Sequence, residues 1–328
     1  MKVLVPYTKE LADTIQNTLG ERATVVRSER TAGSMLEHAD DAEVVASGRV
    51  PGGYIRNAKN LKMIQSLGAG IDKIDREAVL ERGDIIVCNN HVNAVEVAEY
   101  AIMLLFAACK NIILNDRELR KGDWTYGWSG PNPNVEIRNK TCVIIGLGSV
   151  GTEVARRLRG FGVRIHAITK TGKSPQASLV DRIVGSRDTK EVIQDADFII
   201  LSLPLTIDSR EMVDEEFIRW MKPSSILVNI SRGEIIDEAA LFDALKGKRI
   251  RGAALDVWWN YPQWGKAEMK PPSVNFPYHE LDNLVLSPHR AAYSENIMRD
   301  QIRFVGENIL RFINGETPLN IVDMRKGY

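Results

Sequence analysis

The sequence lacks an excess of either charge, since its 328 residues include 43 Lys and Arg against 43 Asp and Glu. A chain without a net positive field does not attract nucleic acid or an anionic membrane surface. The longest apolar run, residues 101–109, is too short to cross a bilayer, and the N-terminus looks like the start of a strand rather than a signal peptide. We therefore expect neither nucleic acid nor a membrane as a partner.

Cysteine is also scarce. The three cysteines, Cys88, Cys109 and Cys142, have no metal-ligand spacing, and each lies in an apolar segment. This pattern indicates reduced core thiols, so we expect a cytoplasmic protein without a bound metal. The remaining composition, 44% hydrophobic and 26% charged, is globular, and the length suits two domains.

The strongest pattern is a glycine-rich turn that follows an apolar run and precedes a helical period. In that setting G-x-G-x-x-G predicts a dinucleotide site. Gly146 permits the sharp turn, Gly148 lets a pyrophosphate approach the backbone, and Gly151 lets the helix pack close to the strand. The N–H groups of Ser149 and Val150 lie at the predicted helix N-terminus, which favours an anion.

Short apolar runs alternate with helical segments along most of the chain, which predicts an α/β fold with parallel sheets covered on both faces. From residue 94 to about 120 the helical period has no Pro or Gly. We interpret this segment as one long helix between two domains. Residues 127–133 (GWSGPNP) are predicted as a loop, either an arm over a neighbour or a cover on the domain surface.

Two polar side chains follow predicted buried strands. Arg232 comes after the strand at 225–229, and His289 comes after the strand at 284–287. Ligands of open α/β sheets bind at this carboxyl edge. A bidentate Arg suits a carboxylate, and a His that titrates near neutrality suits proton delivery to a carbonyl oxygen. Because a nicotinamide supplies hydride, these features together indicate reduction of a small 2-oxo acid.

With these stretches in view, the chain resembles the D-isomer-specific 2-hydroxyacid dehydrogenases, the family of D-glycerate, glyoxylate/hydroxypyruvate and phosphoglycerate dehydrogenases. The resemblance covers nearly the whole length. It is carried, in family order and spacing, by LGAGIDKID (67–75), NAVEVAEYA (93–101), GLGSVG (146–151), DFIILSLPLT (197–206), MKPSSILVNISRGEIID (221–237), GAALDV (252–257) and SPH (287–289).

The resemblance implies two doubly wound parallel-sheet domains. A flavodoxin-like substrate (catalytic) domain would comprise residues 1–96 plus 292–328, and a Rossmann dinucleotide-binding domain, 97–291, would be inserted between these parts. Family members are usually homodimers, so the resemblance also implies a second copy of the chain as a partner.

The resemblance further implies roles for individual residues. Arg232 would orient the carboxylate and carbonyl of the substrate, and His289 would be the acid/base. The backbone N–H groups of Ala69 and Gly70 would hold the substrate carboxylate, and Asp256 would bond the carboxamide of the nicotinamide.

The sequence departs from the family at the catalytic Glu. That residue comes five positions after Asp256, just before a Pro, and here the position holds Tyr261. Either no carboxylate pairs with His289, or the Trp- and Pro-rich stretch 258–278 folds back and delivers Glu268 or Glu280. The tryptophans of this stretch either line a bulky apolar pocket or pack the loop against the protein.

A second departure concerns the cofactor. An enzyme that prefers NAD has an Asp or Glu at the end of the second nucleotide-domain strand, which binds the ribose 2′-OH. No acidic residue lies between His166 and Pro175, whereas Thr169 and Lys170 could bind a 2′-phosphate. We therefore expect NADP(H) to be favoured, with NAD(H) as the alternative.

Two other functions are compatible with these residues. One is a dinucleotide-sensing interaction module without catalysis, and the other is formate-dehydrogenase-like hydride transfer that needs no Glu–His pair. The loss of the Glu favours both, while Arg232 and His289 favour the reductase. The particular 2-oxo acid is left open, because loops far apart in the sequence build the substrate pocket.

Overall fold

The structure is a computed structural model that describes residues 1–262 and 271–328. Its strands, in chain order, are β1 (Lys2–Val5), β2 (Thr24–Arg27), β3 (Val44–Ala46), β4 (Arg49–Val50), β5 (Met63–Gln65), β6 (Lys73–Ile74), β7 (Ile86–Cys88), β8 (Thr141–Ile145), β9 (Arg164–Thr169), β10 (Arg182–Gly185), β11 (Phe198–Leu201), β12 (Ile226–Asn229), β13 (Gly252–Leu255) and β14 (Leu284–Leu286).

The α-helices, in chain order, are α1 (Lys9–Leu19), α2 (Ala32–Leu36), α3 (Gly52–Asn57), α4 (Arg76–Arg82), α5 (Ala94–Cys109), α6 (Ile112–Leu119), α7 (Ser149–Leu158), α8 (Thr189–Ile193), α9 (Glu215–Trp220), α10 (Glu238–Lys246) and α11 (Ile297–Ile313). The expected alternation of strands and helices is confirmed.

The chain divides into two compact units. Unit 1 comprises Met1–Asn93 and Tyr293–Tyr328, and unit 2 comprises Ala94–Ala292. Unit 1 contains a five-stranded parallel sheet in the order β2-β1-β3-β5-β7 and a short ladder of β4 with β6. Counted along the sheet, this is the flavodoxin-like order 2-1-3-4-5 of a doubly wound fold.

Unit 2 contains a seven-stranded sheet in the order β10-β9-β8-β11-β12-β13-β14, in which every neighbouring pair is parallel. Its first six strands have the Rossmann order 3-2-1-4-5-6. The order reverses between β8 and β11, and ligands of such sheets bind at that point, outside the carboxyl ends of the strands. The prediction of two doubly wound α/β domains is confirmed.

Strand β8 illustrates why the pattern of short apolar runs predicts a buried parallel sheet. All five of its residues are buried. Val143 and Ile145 pack in the hydrophobic core on one face, and Cys142 and Ile144 pack in the core on the other. Because successive side chains of a strand point to opposite faces, a strand covered on both sides is apolar at every position.

The segment that we predicted as one long helix is two helices, so this prediction is wrong. Helices α5 and α6 meet at a bend of 61°, and Asn111 between them has a φ of 50°. Asn tolerates this left-handed conformation without a Gly, which is why no breaker was visible in the sequence. Among the described residues, no single helix is long and apolar enough to cross a membrane, while this bent pair meets the length and composition test when taken together.

The three cysteines are buried and free. Burial raises the pKa of the Cys88 and Cys109 thiols to about 12. These groups therefore stay as neutral core thiols at physiological pH.

Candidate active site

The glycine-rich turn connects β8 to α7, and its steric environment requires glycine at two positions. Gly146 has a φ of 96°, and a Cβ atom there would lie 2.6 Å from the carbonyl oxygen of Ser202. At Gly151 a Cβ atom would lie 2.0 Å from the carbonyl oxygen of Gly146. Both distances are far below van der Waals contact, so any side chain would separate the helix from the strand.

Gly148 has a different environment. It precedes α7 in an extended conformation, and apart from its chain neighbours no described atom lies within 4 Å of the position that its Cβ would occupy. The N–H groups of Ser149 and Val150 follow in the first turn of α7, where helix geometry offers them no carbonyl acceptor. Open space beside a bare backbone, next to the positive end of a ten-residue helix, fits a pyrophosphate.

Ser202, the residue after β11, ties this turn to the neighbouring strand. Its hydroxyl donates to the carbonyl oxygen of Gly146 at 2.7 Å, and its N–H donates to the carbonyl oxygen of Ile145 at 2.9 Å. No role for Ser202 is predicted from the sequence. The contact joins residues 56 positions apart, which no local pattern reveals.

At the end of β9, Thr169 and Lys170 lie where the second strand of a dinucleotide fold ends. The Thr169 hydroxyl donates to the carbonyl oxygen of Lys173 at 3.2 Å. The Lys170 ammonium donates to a carboxylate oxygen of Asp208 at 2.8 Å, and this bond holds the pKa of Asp208 below its usual range. This acid is not predictable from the sequence, because Asp208 comes from the loop after β11, 38 residues away.

Arg232 lies just beyond β12, and its loop is held by a polar network. The Asn229 amide donates to the carbonyl oxygen of Arg232 at 2.8 Å, and its side-chain oxygen accepts the N–H of Ser231 at 2.9 Å. The Ser231 hydroxyl donates to the carbonyl oxygen of Leu201 at 2.9 Å, which anchors the loop to β11. The half-buried Arg232 side chain therefore starts from a well-fixed backbone at the carboxyl edge of the sheet.

Asp256, just after β13, is buried and anchors the loop that carries His289. One carboxylate oxygen accepts the Ser287 hydroxyl and the Arg290 N–H, the latter at 2.8 Å, and the other accepts the Ala291 N–H at 2.9 Å. The N–H of Asp256 itself donates to Asn229 on β12 at 3.0 Å. The carboxylate that the family resemblance relates to the nicotinamide thus also positions the histidine loop.

His289 lies within this anchored loop and has a φ of 58°, an unusual backbone conformation for a residue other than Gly. Its imidazole is exposed, and its Nδ1 lies 3.1 Å from the hydroxyl oxygen of Tyr261. The same hydroxyl oxygen accepts the backbone N–H of Trp258 at 3.0 Å. Tyr261 therefore contacts His289 from the position at which the family has its Glu.

Tyr261 is not among the site residues that the sequence predicts, which leaves the family's Glu position without an assigned role. The signal was nevertheless present, because Tyr261 stands directly before Pro262 at the family's catalytic position. What the sequence could not give is the direction of the side chain, which depends on the fold of residues 256–262.

The aromatic residues of this stretch mostly pack against unit 2. Trp258 is buried and donates from its indole N–H to the carbonyl oxygen of Ser287 at 2.8 Å. Trp259 stacks on the buried Tyr278 with ring centroids 5.4 Å apart. Trp258 and Trp259 therefore favour packing of the loop against the protein over an apolar pocket. Trp264 lies outside the described residues.

Two acids could replace the family's Glu, namely Glu268 and Glu280. Glu280 is exposed, and its carboxylate lies 4.0 Å from the Nε2 of His279. Glu268 lies outside the described residues. Within residues 1–262 and 271–328, no three His, Cys, Asp or Glu side chains are grouped as metal ligands.

In unit 1, Ala69 and Gly70 lie in the loop after β5. The Asn89 amide donates to the carbonyl oxygen of Ala69 at 3.1 Å, and the Asn90 N–H donates to that of Gly68 at 3.1 Å. These bonds fix the carbonyl side of the loop. Within the described ranges, the N–H groups of Ala69 and Gly70 have no hydrogen-bond acceptor, so these donors suit an anionic ligand.

Residues 102–291 match the family model of the D-isomer specific 2-hydroxyacid dehydrogenase NAD binding domain. The chain belongs to the D-isomer specific 2-hydroxyacid dehydrogenase family. The matched residues lie within unit 2 and include the glycine-rich turn, Arg232 and His289. Members of this family are NAD(P)-dependent oxidoreductases of 2-hydroxy acids, so the cofactor of unit 2 is a nicotinamide dinucleotide.

Relatives in this dehydrogenase family are similar over most of the chain. The D-3-phosphoglycerate dehydrogenase of Methanocaldococcus jannaschii is 36% identical over 90% of this chain, which spans 54% of the length of that relative. The glyoxylate reductase of Pyrococcus furiosus is 32% identical over 88% of this chain and 84% of its own length.

A solved structure of the family is similar over both units. It is the NADPH-dependent glyoxylate/hydroxypyruvate reductase of Sinorhizobium meliloti in complex with NADP and malonate. The two structures match with a TM-score of 0.80 over 99% of this chain and 97% of that protein, and the sequences are 27% identical.

Proposed function

We propose that this family member reduces a small 2-oxo acid to the D-2-hydroxy acid with NADPH. In this proposal Arg232 binds the substrate carboxylate and polarises the carbonyl, and His289 delivers the proton to the carbonyl oxygen. When bound, the nicotinamide supplies the hydride. The observation that carries the proposal is a series of contacts in unit 2 that connects the Arg232 loop to His289.

The contacts begin beside Arg232 and end at the imidazole. A Cβ atom on Gly233 would lie 2.5 Å from the backbone of Trp258, so only glycine lets these two segments pass each other. The N–H of Trp258 binds the Tyr261 hydroxyl, which contacts His289. The positive charge of Arg232 also lowers the pKa of Tyr261. A cation for the substrate and a proton donor thus share one edge of the sheet.

The two groups have complementary chemistry. A guanidinium presents parallel N–H donors to a carboxylate and remains charged at every working pH. An imidazole exchanges a proton near neutrality, which suits addition of a proton as the carbonyl carbon accepts hydride. We propose that the N–H groups of Ala69 and Gly70 bind a substrate carboxylate, as backbone donors without a charge of their own.

Small 2-oxo acids are the proposed substrate class, with glyoxylate and hydroxypyruvate as the first candidates. Relatives named for these substrates support the choice, since the glyoxylate reductase of Pyrococcus furiosus and the Sinorhizobium meliloti enzyme match most of the chain. The relative that acts on phosphoglycerate is longer than this chain, which makes its substrate a weaker guide.

The preference for NADPH is supported by the end of β9. Lys170 offers a cation and Thr169 a hydroxyl where the adenosine ribose of a dinucleotide fold lies. The Asp208 carboxylate competes for the same ammonium group. Both side chains of this pair are well exposed, so a 2′-phosphate can displace Asp208 at little cost. We therefore propose a moderate preference for NADPH rather than an absolute one.

We also propose that the chain forms a homodimer through the helical segment and loop that follow residue 102. Large apolar side chains there are unusually exposed, and Trp124 retains 76% of its accessible surface. The others are Met103, Ile112, Ile113, Leu119 and Trp128. Exposed apolar groups of this number mark interaction surfaces, and a dimer mass in sedimentation analysis is the expected result.

We propose the reducing cytoplasm as the location of the protein, which the three buried free thiols support.

The function is tested by following oxidation of NADPH and NADH with glyoxylate, hydroxypyruvate and bulkier 2-oxo acids. With the best substrate, Arg232→Ala should lose on the order of 3 kcal/mol or more of transition-state binding, a factor of about 100 or more in kcat/KM. His289→Ala should lower kcat while leaving the NADPH dissociation constant nearly unchanged. Arg219→Ala and His279→Ala, at exposed positions of unit 2, are the matched controls.

Wild-type turnover in both Arg232→Ala and His289→Ala would refute the reductase assignment. Tight NADPH binding without turnover of any 2-oxo acid would favour the dinucleotide-sensing module. Reduction of NAD(P)+ by formate, without turnover of 2-oxo acids, would favour the formate-dehydrogenase-like reaction.

A further inference from the structure

The Tyr261 hydroxyl lies between a backbone donor and the imidazole of His289. The N–H of Trp258 is 3.0 Å from the hydroxyl oxygen, and the Nδ1 of His289 is 3.1 Å from it on the other side. The two rings are tilted by 50° with centroids 5.5 Å apart, so the contact is made by the hydroxyl rather than by stacking.

We propose that Tyr261 is the positioning residue of His289, a neutral hydroxyl that replaces the usual carboxylate and directs Nε2 of the ring toward the substrate. This inference rests on the proposed role of His289 as the acid/base. It adds a residue that the family pattern does not supply, because a Glu stands at this position in the resemblance.

The hydroxyl is held rigidly enough for this role. Trp258, whose N–H holds it, is buried and is fixed by its indole bond to Ser287. Ser287 in turn belongs to the loop that Asp256 anchors, two residues before His289. The backbone of Trp258 and the imidazole are thus parts of one hydrogen-bonded network, and the tyrosine hydroxyl joins them.

Tyr261 is expected to stay uncharged. Burial of the hydroxyl raises its pKa; the Trp258 bond and the charge of Arg232 lower it, and Glu234 and Asp256 raise it, with a net increase. Arg232 and Glu234 come from the loop after β12, Asp256 follows β13, and Arg290 follows His289 in its own loop. A phenol in this environment remains a hydrogen-bonding group rather than an anion.

The hydroxyl oxygen of Tyr261 can hold a proton on Nδ1 of His289. A backbone N–H can only donate, so this oxygen is the acceptor of the Trp258 bond, and its second lone pair can accept an Nδ1–H. A neutral imidazole that donates from Nδ1 leaves Nε2 unprotonated, so Nε2 can take the proton of a 2-hydroxy acid in oxidation. When the ring is protonated, Nδ1–H keeps this bond, and Nε2–H is the proton given to the carbonyl oxygen in reduction.

A carboxylate at position 261 would also accept Nδ1–H in both states of the ring, but it would differ in charge. Its negative charge would favour the protonated ring and raise the pKa of the ring. Reduction uses the protonated ring and is lost as pH rises through that pKa. Oxidation uses the neutral ring and is lost as pH falls through it. A neutral partner therefore leaves both limbs at lower pH than a carboxylate would.

The decisive experiment compares Tyr261→Glu with Tyr261→Gln, since these side chains have the same length and differ in charge. For the best 2-oxo acid, Tyr261→Glu should move the descending limb of kcat/KM for reduction upward by about one pH unit or more, and the oxidative limb by the same amount. Tyr261→Gln should leave both limbs in place. Tyr261→Phe should lower kcat about three- to tenfold without moving the limbs, because a hydrogen bond is lost but no charge changes.

A second readout is independent of turnover. Nitrogen NMR of labelled histidine distinguishes the two neutral tautomers, and with five histidines in the chain the His289 signals can be assigned by their loss in His289→Ala. We expect the neutral ring to carry its proton on Nδ1 in the wild type and in Tyr261→Glu, and to lose this preference in Tyr261→Phe, which has no acceptor. Tyr328→Phe, at an exposed position of unit 1, is the control for loss of a phenol, and thermal unfolding of each variant verifies folding.

The outcomes separate this inference from the proposed function. If His289→Ala abolishes reduction but Tyr261→Glu leaves the limbs unmoved, His289 is catalytic and Tyr261 is not its partner. The same conclusion follows if Glu268→Gln or Glu280→Gln moves the reductive limb downward, since a carboxylate would then face the ring. If His289→Ala retains full activity, the proposed function itself is wrong.

Discussion

The glycine-rich turn and the His289 loop lie at the carboxyl edge of the same sheet, but they are built in opposite ways. Residues 146–151 form a site from the backbone alone, with two glycines required by contacts of 2.6 Å and 2.0 Å and a third facing open space. The His289 loop is held by side chains from other segments, chiefly Asp256 and Tyr261.

This difference explains why one region follows the family pattern and the other departs from it. A backbone site tolerates no side chain, so its glycines have no substitute. A side-chain site needs a hydrogen-bonding group at a given place, and a phenol can reach the imidazole as a carboxylate would. Variants that affect the two regions separately test whether this distinction holds.

The largest effect is expected in the turn. Gly151→Ala places a Cβ against the carbonyl oxygen of Gly146, so it should destabilise unit 2 by about 3 kcal/mol or more and abolish cofactor binding. Gly148→Ala should leave the melting temperature within a few degrees of the wild type yet lose NADPH affinity, because its Cβ enters the space left for the pyrophosphate.

Gly160→Ala is the control, since apart from its chain neighbours no described atom lies within 4 Å of its Cβ position, and it is outside the turn. Calorimetry measures the melting temperature of the three variants, and NADPH titration measures their affinity for the cofactor. Equal losses of stability in Gly148→Ala and Gly151→Ala would contradict the separate roles of these glycines.

A smaller effect is expected in the loop that carries the histidine. Asp256→Asn replaces an acceptor by an amide donor that faces backbone N–H groups, which costs about 1–3 kcal/mol for each buried donor left unpaired. Because this carboxylate holds the loop, we expect kcat to fall at least tenfold, with a smaller change in the NADPH dissociation constant.

Asp243→Asn, at an exposed position of α10, controls for the loss of a charge. Steady-state kinetics and NADPH titration distinguish the two roles of Asp256. A dissociation constant that rises as much as kcat falls would indicate that its main role is to bind the nicotinamide carboxamide.

The smallest effect is expected at the end of β9, where both partners are exposed. Lys170→Glu should weaken NADPH binding about tenfold and erode or reverse the preference over NADH, since it places like charges together. Asp208→Asn should strengthen NADPH binding about threefold, because it releases the ammonium group from its competitor.

Lys190→Glu, on the exposed side of α8, is the control for a charge reversal elsewhere in unit 2. The dissociation constants of both cofactors at moderate salt are the measurement. Tighter binding of NADH than of NADPH by the wild type would overturn the proposed preference.

Much of the fold was predictable because its signals are local. The apolar run of β8 and the glycine spacing after it depend on neighbouring residues, and both predicted the observed strand and turn. The single helix predicted over residues 94–120 was wrong because Asn111 breaks it through a backbone conformation that its residue type allows but does not require.

The sequence by itself determined the doubly wound architecture, the dinucleotide turn and the positions of Arg232 and His289 at strand ends, because hydrophobic period and backbone sterics act over a few residues. Only the tertiary structure decided that Asp208 pairs with Lys170, that Asp256 holds the histidine loop and that the Tyr261 hydroxyl reaches His289. Such contacts join segments separated by about thirty residues or more, and they depend on side-chain directions that arise only when the parallel strands bring their carboxyl ends together.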